Sequence, residues 1–167
     1  MRGRHLLRAA LAASTVVALA TLARADAPSD QYNLFNLNSD MIQDLRTGLY
    51  WQRYPLATTV SLADAETACQ ALSLDQFASG WRVPSYKELL TLVDEAPHYE
   101  YPSGAPVLKW IDGNAFPGDL AAPVLAASYW TSSAYPLQPG YAYTVNFNDG
   151  TSHSQAVPST QYVRCVH

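Results

Sequence analysis

Two cysteines, Cys69 and Cys165, are the most reactive side chains that the sequence offers. Neither has a neighbouring histidine or a CxxC spacing, the patterns that are typical of a redox-active or metal-binding thiol. In an exported chain, an even pair without a third thiol most simply forms one disulfide. We therefore predict a structural bond between Cys69 and Cys165, with a reactive thiol as the alternative that has less support.

Histidines and clustered carboxylates are the next groups that could carry catalysis. The three histidines beyond the N-terminal segment lie far apart, without the spacing of a metal site: His98, His153 and His167. Asp94-Glu95 and Glu100 could supply the carboxylate pair of a glycosidase, although solvated acids at a helix end are the simpler interpretation. The sequence contains no nucleotide-binding, zinc-protease or serine-hydrolase motif. It therefore predicts no enzyme, no metal and no cofactor.

The stretch NFNDG carries oxygen atoms that a calcium ion could use. Asn146, Asn148 and Asp149 lie close together in it, but a calcium site needs more converging oxygens than these three residues supply. Asn-Asp-Gly is also what a tight hairpin turn requires. The prediction is therefore a hairpin turn, and a calcium-dependent lectin is the weaker alternative.

The N-terminus indicates where the protein works. Arg2, Arg4 and Arg8 precede an apolar run, and Ala-Arg-Ala at residues 23–25 has the small-x-small form of a signal-peptidase site. The run is shorter than the about 20 apolar residues that a membrane span needs. We predict a cleaved signal peptide over residues 1–25, with an uncleaved N-terminal anchor as the alternative. The protein is then periplasmic, secreted or exposed at the cell surface.

Cleavage would change the charge balance. It removes four arginines, so Lys+Arg falls from 10 to 6 while Asp+Glu stays at 14, and the net charge of the mature chain is near −8. The remaining cations are scattered along the chain: Arg46, Arg53, Arg82, Lys87, Lys109 and Arg164. Such a surface repels phosphate backbones and anionic lipid, which argues against nucleic acid as a partner.

Two helices are predicted before the middle of the chain. Residues 26–40 are polar and rich in turn formers and are interpreted as an N-terminal arm or a linker, so the domain occupies residues 41–167. Ser61 is a good N-cap for a helix with one apolar face, formed by Leu62, Ala65, Cys69 and Leu72. Ser85 and Glu88 form a capping box for a second helix over about residues 86–95. Its buried stripe is predicted to be Leu89, Leu92 and Val93.

The C-terminal part is predicted to be a run of strands. YAYTVNFNDG alternates, with Tyr141, Tyr143, Val145 and Phe147 on one face and Ala142, Thr144 and Asn146 on the other. Asp149-Gly150 predicts a hairpin turn into TSHSQA. In the closing YVRCVH, Val163 and Cys165 share a face. Three tryptophans are expected in the core: Trp51, Trp81 and Trp130.

The segment over residues 98–128 has no regular pattern and alternates prolines with glycines. Long irregular segments inside a compact domain are often functional, and aromatic side chains on loops bind sugar rings or partner pockets. Our candidate ligand-binding residues are Tyr99, Tyr101, Trp110, Asp112, Asn114 and Tyr135. The alternative is that Trp110 and Phe116 only cover the core beneath the loop.

Six blocks in this order resemble the C-terminal domain family of the Legionella collagen-like protein, the Lcl C-terminal domain family. They are DLRTGLYWQR, WRVPSYKELLTLVD, NAFP, YWTSS, VNFNDG and YVRCVH. The resemblance implies an α+β, C-type-lectin-like fold, distantly similar to the formylglycine-generating enzyme, in which a first-helix cysteine bonds one in the last strand. It also implies adhesion through surface binding.

The expected architecture is two helices packed on antiparallel strands, with a long irregular loop and one disulfide. The expected function is non-catalytic binding of a carbohydrate or protein. Scattered cations argue against a sulfated polysaccharide as the ligand, because such binding depends on Lys/Arg clusters. A structural envelope component without a ligand pocket is the alternative.

Overall fold

The computed structural model describes residues 30–33, 39–100, 104, 106–117 and 128–167. The predicted signal peptide and most of the predicted N-terminal arm lie outside these residues. Within the described ranges, no helix has the length and apolar character that crossing a membrane requires.

A short hairpin opens the domain. Strand β1 (Met41–Gln43) pairs antiparallel with strand β2 (Tyr50–Gln52). The turn between them is held by Asp44, whose Oδ1 accepts a hydrogen bond from the backbone N–H of Arg46 at 2.8 Å, as in an Asx turn. Trp51 of β2 is fully buried, which confirms its predicted place in the core.

Helix α1 (Leu62–Gln70) begins at the predicted N-cap, Ser61. Ser61 Oγ accepts a hydrogen bond from the backbone N–H of Asp64 at 3.2 Å, which satisfies one of the free donors of the first turn. Ala65 and Cys69 are the buried residues of the helix. Because they lie four residues apart, they form one stripe toward the core, as predicted.

Helix α2 (Tyr86–Leu90) begins with the predicted capping box. Ser85 Oγ accepts a hydrogen bond from the backbone N–H of Glu88, and the Glu88 carboxylate accepts one from the Ser85 N–H at 2.7 Å. Two free donors are thereby satisfied by one pair of residues. Arg82 adds two hydrogen bonds to the same carboxylate, at 2.6 and 2.8 Å.

Regular helix ends earlier than the predicted limit near residue 95. The backbone N–H groups of residues 91–93 bond to carbonyls three residues back instead of four, a tighter winding that rarely continues. The N–H of Asp94 then bonds to the carbonyl of Trp110, which turns the chain away. Leu92 still lies in the core, so the predicted apolar stripe persists beyond the helix.

A hairpin lies inside the segment that was predicted to be irregular. Strand β3 (His98–Glu100) pairs antiparallel with strand β4 (Val107–Lys109), and Tyr99 lies opposite Leu108. The prediction was therefore wrong for these two strands. Prolines flank both runs without interrupting them, so the backbone N–H groups needed for pairing are retained.

The main sheet has the strand order β5 (Ser128–Ala134), β6 (Tyr141–Asn146) and β7 (Ser152–Ala156), with both pairings antiparallel. The predicted turn between β6 and β7 is confirmed, and Gly150 takes the φ of +70° that suits a glycine.

The two helices cover opposite faces of this sheet. Trp130 packs in a core cluster with Cys69 of α1. Its neighbour Tyr129, with the paired Val145, packs in a second cluster with Leu89 of α2. Successive strand residues point to opposite faces, so β5 and β6 supply both cores. Each fully buried large side chain stabilises the fold by roughly 1.5–3 kcal/mol.

The closing segment, residues 161–167, joins elements that are distant in sequence. Tyr50 and His167 exchange backbone hydrogen bonds of 3.0 and 2.8 Å. Arg82 and Val166 exchange two of 2.9 Å. The segment therefore acts as a shared partner for β2 and for the chain that leads into α2.

Cys165 of this segment is bonded to Cys69 of α1, with 5.5 Å between the Cα atoms, which confirms the predicted disulfide. The described residues form an α+β fold with two helices, antiparallel sheets and one disulfide, as predicted. The C-type-lectin-like assignment stays a prediction.

Candidate functional site

The predicted ligand-binding residues do not lie in one irregular loop. Tyr99 lies on β3, with 63 % of its surface exposed. Tyr101 lies outside the described residues. The other four follow β4 or β5: Trp110, Asp112, Asn114 and Tyr135.

Trp110 is fastened to the turn between β6 and β7. Its backbone N–H donates to the carbonyl of Phe147 at 2.8 Å. Its ring lies against Gly150 so closely that a Cβ there would be 2.9 Å from two ring carbons. The indole Nε1 is buried and has no hydrogen-bond partner among the described residues. Trp110 is therefore a half-buried side chain whose packing fixes the turn between β6 and β7.

Asp112 and Asn114 form a turn that supports the core. Asp112 Oδ1 accepts hydrogen bonds from the backbone N–H groups of Asn114 at 2.8 Å and Ala115 at 3.1 Å. The carbonyl of Asn114 accepts from Arg53 Nη2 at 3.0 Å. Phe116 at the end of the turn is fully buried, as its alternative assignment to the core expected.

Tyr135 lies at the opposite end of β6 from Trp110. The backbone N–H of Tyr135 bonds to the carbonyl of Tyr141, and that of Trp110 bonds to the carbonyl of Phe147. At about 3.3 Å per strand residue, these anchor points are separated by about 20 Å. Trp110 and Tyr135 therefore belong to different parts of the surface.

Tyr135 is instead part of an aromatic group that we call the tyrosine cluster, formed by Tyr86, Tyr135 and Tyr143. The rings of Tyr86 and Tyr143 are stacked, with centroids 4.4 Å apart and planes inclined by 12°. The ring of Tyr135 stands at 87° to that of Tyr143, with centroids 5.1 Å apart. All three residues are half-buried. The cluster presents aromatic surfaces at two nearly perpendicular orientations.

Hydroxyl groups surround the cluster and hold it in place. Tyr86 donates its hydroxyl to Ser152 Oγ on β7 at 2.9 Å, and its backbone N–H donates to Ser133 Oγ on β5 at 3.0 Å. Leu137, in the turn between β5 and β6, is 81 % exposed. Tyr135 was among the predicted ligand-binding residues, whereas Tyr86 and Tyr143 were not. Tyr143 was assigned to a strand face, but nothing local indicated that α2 would lie beside it.

Arg164 is a second feature that the sequence analysis missed. Val163 and Cys165 were predicted to share a face, which places Arg164 on the other face of the closing segment, yet Arg164 is fully buried as they are. Its Nη1 donates to the carbonyls of Gln52 and Arg53. Arg164 therefore ties the closing segment to the chain that follows β2.

Aromatic rings form the remainder of the environment of Arg164. Its guanidinium carbon lies 4.6 Å from the ring centroid of Phe116 and 5.8 Å from that of Tyr129, distances at which a cation is attracted to a ring face. Burial lowers the pKa of Arg164 and raises the pKa of the Tyr129 hydroxyl. Nε and Nη2 of Arg164 have no hydrogen-bond partner among the described residues.

The side chains of NFNDG are used by the turn that contains them. Asn146 Oδ1 accepts from the Asn148 backbone N–H at 2.8 Å. Asp149 Oδ1 accepts from the backbone N–H of Thr151 at 2.9 Å and from its hydroxyl at 2.6 Å. Burial raises the pKa of Asp149, but the side-chain and backbone hydrogen bonds from Thr151, together with the nearby His153, outweigh it, so the pKa of Asp149 lies below its ordinary value. This arrangement is what a hairpin turn requires.

His167 is also used by the fold. Its imidazole is stacked on Phe77, with centroids 3.9 Å apart, and lies beside Trp81. Within the part of the chain that the structure describes, no three His, Cys, Asp or Glu residues are grouped as metal ligands would be.

Comparison with known proteins adds one finding. The sequence profile of the Lcl C-terminal domain matches residues 40–167, which agrees with the six blocks described above. No curated protein matches the sequence. Membership of this family suggests a secreted or adhesion-type domain. Because the match covers most of its length, the chain belongs to the Lcl C-terminal domain family.

Proposed function

We propose that the domain is an exported, non-catalytic recognition module that binds a carbohydrate or an envelope protein. It acts in the periplasm, at the cell surface or outside the cell. The observation that carries the proposal is the tyrosine cluster, in which three half-buried rings are held together by ring contacts. Tyrosine combines a large apolar face with a hydroxyl, and this combination suits binding surfaces.

The cluster is built on rigid elements. Tyr143 lies in β6, the central strand of the main sheet, where it pairs with Ser154 of β7 and its carbonyl accepts a hydrogen bond from Thr131 Oγ1 of β5 at 2.8 Å. Tyr86 begins α2 and is held by hydrogen bonds at its backbone and at its hydroxyl. Tyr135 is fixed by the backbone hydrogen bond to Tyr141. Rings that are ordered before binding lose little conformational entropy when a ligand arrives.

The polar residues that first suggested chemistry support a non-catalytic role. The carboxylates of Asp112 and Asp149 accept hydrogen bonds from neighbouring backbone N–H groups. The imidazole of His167 is packed on Phe77. Cys69 and Cys165 are joined to each other. Each of these groups has a structural use.

The disulfide and the predicted signal peptide support action outside the cytoplasm, because structural disulfides persist in oxidising compartments. The predicted net charge of the mature chain supports a partner other than nucleic acid or an anionic membrane.

The test is binding of the purified protein to an array of glycans and envelope proteins. We expect Tyr135→Ala to weaken binding at least about tenfold, which is the effect of losing a central aromatic contact. Tyr54→Ala is the matched control, since Tyr54 is an exposed tyrosine elsewhere on the surface. Circular dichroism would verify that both variants are folded.

A third variant, Tyr99→Ala, separates the two candidate locations. Loss of binding in Tyr99→Ala with retention in Tyr135→Ala would place the site at β3 and contradict the tyrosine cluster. If no glycan and no envelope protein binds, the recognition proposal fails and a purely structural envelope role replaces it.

A further inference from the structure

The segment that carries Tyr135 and Tyr143 is almost free of charge. Residues 128–163 contain one carboxylate, Asp149, and no lysine, arginine or glutamate, although the whole sequence has 24 such charged residues. His153 is the only histidine in this range. The main sheet therefore differs in composition from the rest of the molecule.

Neither of these two residues lies beside the cluster. Asp149 lies in the turn that follows β6, whereas Tyr135 is hydrogen-bonded to Tyr141 at the start of β6. His153 is paired with Thr144, the neighbour of Tyr143. Paired residues share a face and successive residues alternate, so His153 lies on the face opposite Tyr143.

On the face of the cluster, the polar groups are hydroxyls. Ser154 is the cross-strand partner of Tyr143 and therefore lies beside it. Ser133 and Ser152 already bond to Tyr86. A hydroxyl both donates and accepts hydrogen bonds, as a sugar hydroxyl does, so this neighbourhood matches the chemistry of a saccharide without requiring an ion.

The helix side adds little charge. The guanidinium of Arg82 is paired with the carboxylate of Glu88, to which it donates two hydrogen bonds. Lys87 follows Tyr86 and is exposed, so it is the cation nearest to the cluster along the chain. One lysine does not create the cluster of cations on which recognition of sulfated or polyphosphate chains depends.

We infer that the tyrosine cluster binds an uncharged saccharide, with the C–H face of a pyranose ring stacked on a tyrosine ring and its hydroxyls directed to the serines. The two perpendicular ring orientations suit a ligand that has an apolar face and a polar edge. This inference rests on the proposed recognition function and specifies the ligand class of the same site.

The experiment compares neutral polysaccharides with sulfated forms of the same chains. Dextran, mannan, galactan and xylan are each tested by affinity electrophoresis against the full protein, beside their sulfated derivatives. We expect at least one neutral chain to bind, and its affinity to change less than about twofold between about 50 and 500 mM salt, because uncharged contacts are not screened.

Three variants locate the binding and identify its chemistry. Tyr135→Ala is expected to lose at least about tenfold in affinity for the neutral chain. Tyr135→Phe keeps the ring and is expected to stay within about threefold. Lys87→Ala is the charge control and should bind the neutral chain as the wild type does.

The outcomes separate this inference from the proposed function. Binding only to sulfated chains, lost with salt or in Lys87→Ala, would overturn the uncharged ligand but keep a recognition module. Binding only to an envelope protein would likewise overturn the saccharide ligand but keep a recognition module. The absence of binding to every glycan and protein would overturn both.

Discussion

Removal of the disulfide should cost the domain a large part of its stability. Cys69 and Cys165 are 96 residues apart. In the chain-entropy account, closing a loop of this length restricts the unfolded chain by about 4.7 kcal/mol at 25 °C. Both cysteines are also fully buried in one core cluster. Alanine at both positions would remove two packed sulfur atoms, for about 1 kcal/mol more.

The assay is urea unfolding followed by tryptophan fluorescence, since Trp51, Trp81 and Trp130 are buried and report on the core. The double variant Cys69→Ala/Cys165→Ala is compared with the oxidised wild type. Wild type that has been reduced under denaturing conditions is the matched control, because it loses the bond but keeps both sulfurs. We expect the reduced wild type to be less stable by about 3–5 kcal/mol and the double variant by slightly more.

A loss below about 1 kcal/mol in the reduced wild type would refute the reasoning, because it would mean that the unfolded chain is not restrained by the bond. The same conclusion would follow if reductant cleaved the bond in the native protein without altering its midpoint of unfolding. Domains of this size have only about 5–15 kcal/mol of stability in total, so the expected loss brings the reduced domain close to unfolding.

Two further perturbations test local features of the fold. Gly150→Ala should destabilise the domain by at least about 1 kcal/mol more than Gly48→Ala. Both positions have a positive φ, but only at Gly150 would an added Cβ lie against Trp110. Equal losses of stability in thermal unfolding would contradict this close packing. Glu88 has its pKa lowered to about 2, first by hydrogen bonds from Arg82. The pair of Glu88 with Arg82 therefore adds about 1 kcal/mol to the free energy of unfolding after solvent screening. This contribution is complete above about pH 4.5 and is lost as the pH falls toward 2. Glu88→Gln should flatten the stability–pH curve in that window, and an unchanged slope would show that the Arg82 pair contributes nothing.

The features that sequence predicted well are set by neighbours along the chain. Ser61 and Ser85 were identified as N-caps because capping chemistry depends on residues within one turn. The turn at Gly150 was identified for the same reason. The disulfide was predictable because the chain contains only two cysteines.

The features that sequence did not predict depend on contacts between distant segments. Arg164 is buried because its neighbours on both faces come from elsewhere in the chain, and alternation within the closing segment cannot reveal that. The tyrosine cluster requires α2 to lie against β6, which brings Tyr86 to Tyr143. The sequence predicted an aromatic surface but directed the search to the segment after residue 98, away from Tyr86 and Tyr143.

The closing segment has a consequence for how the protein forms. Five backbone N–H groups of the N-terminal half donate to carbonyls of residues 161–167, namely those of Tyr50, Gln52, Leu56, Val60 and Arg82. These groups remain without their partners until the C-terminal residues emerge. Contacts that span most of a chain slow folding and expose apolar surface in the meantime. The domain is therefore expected to complete its fold only after the closing segment has been synthesised.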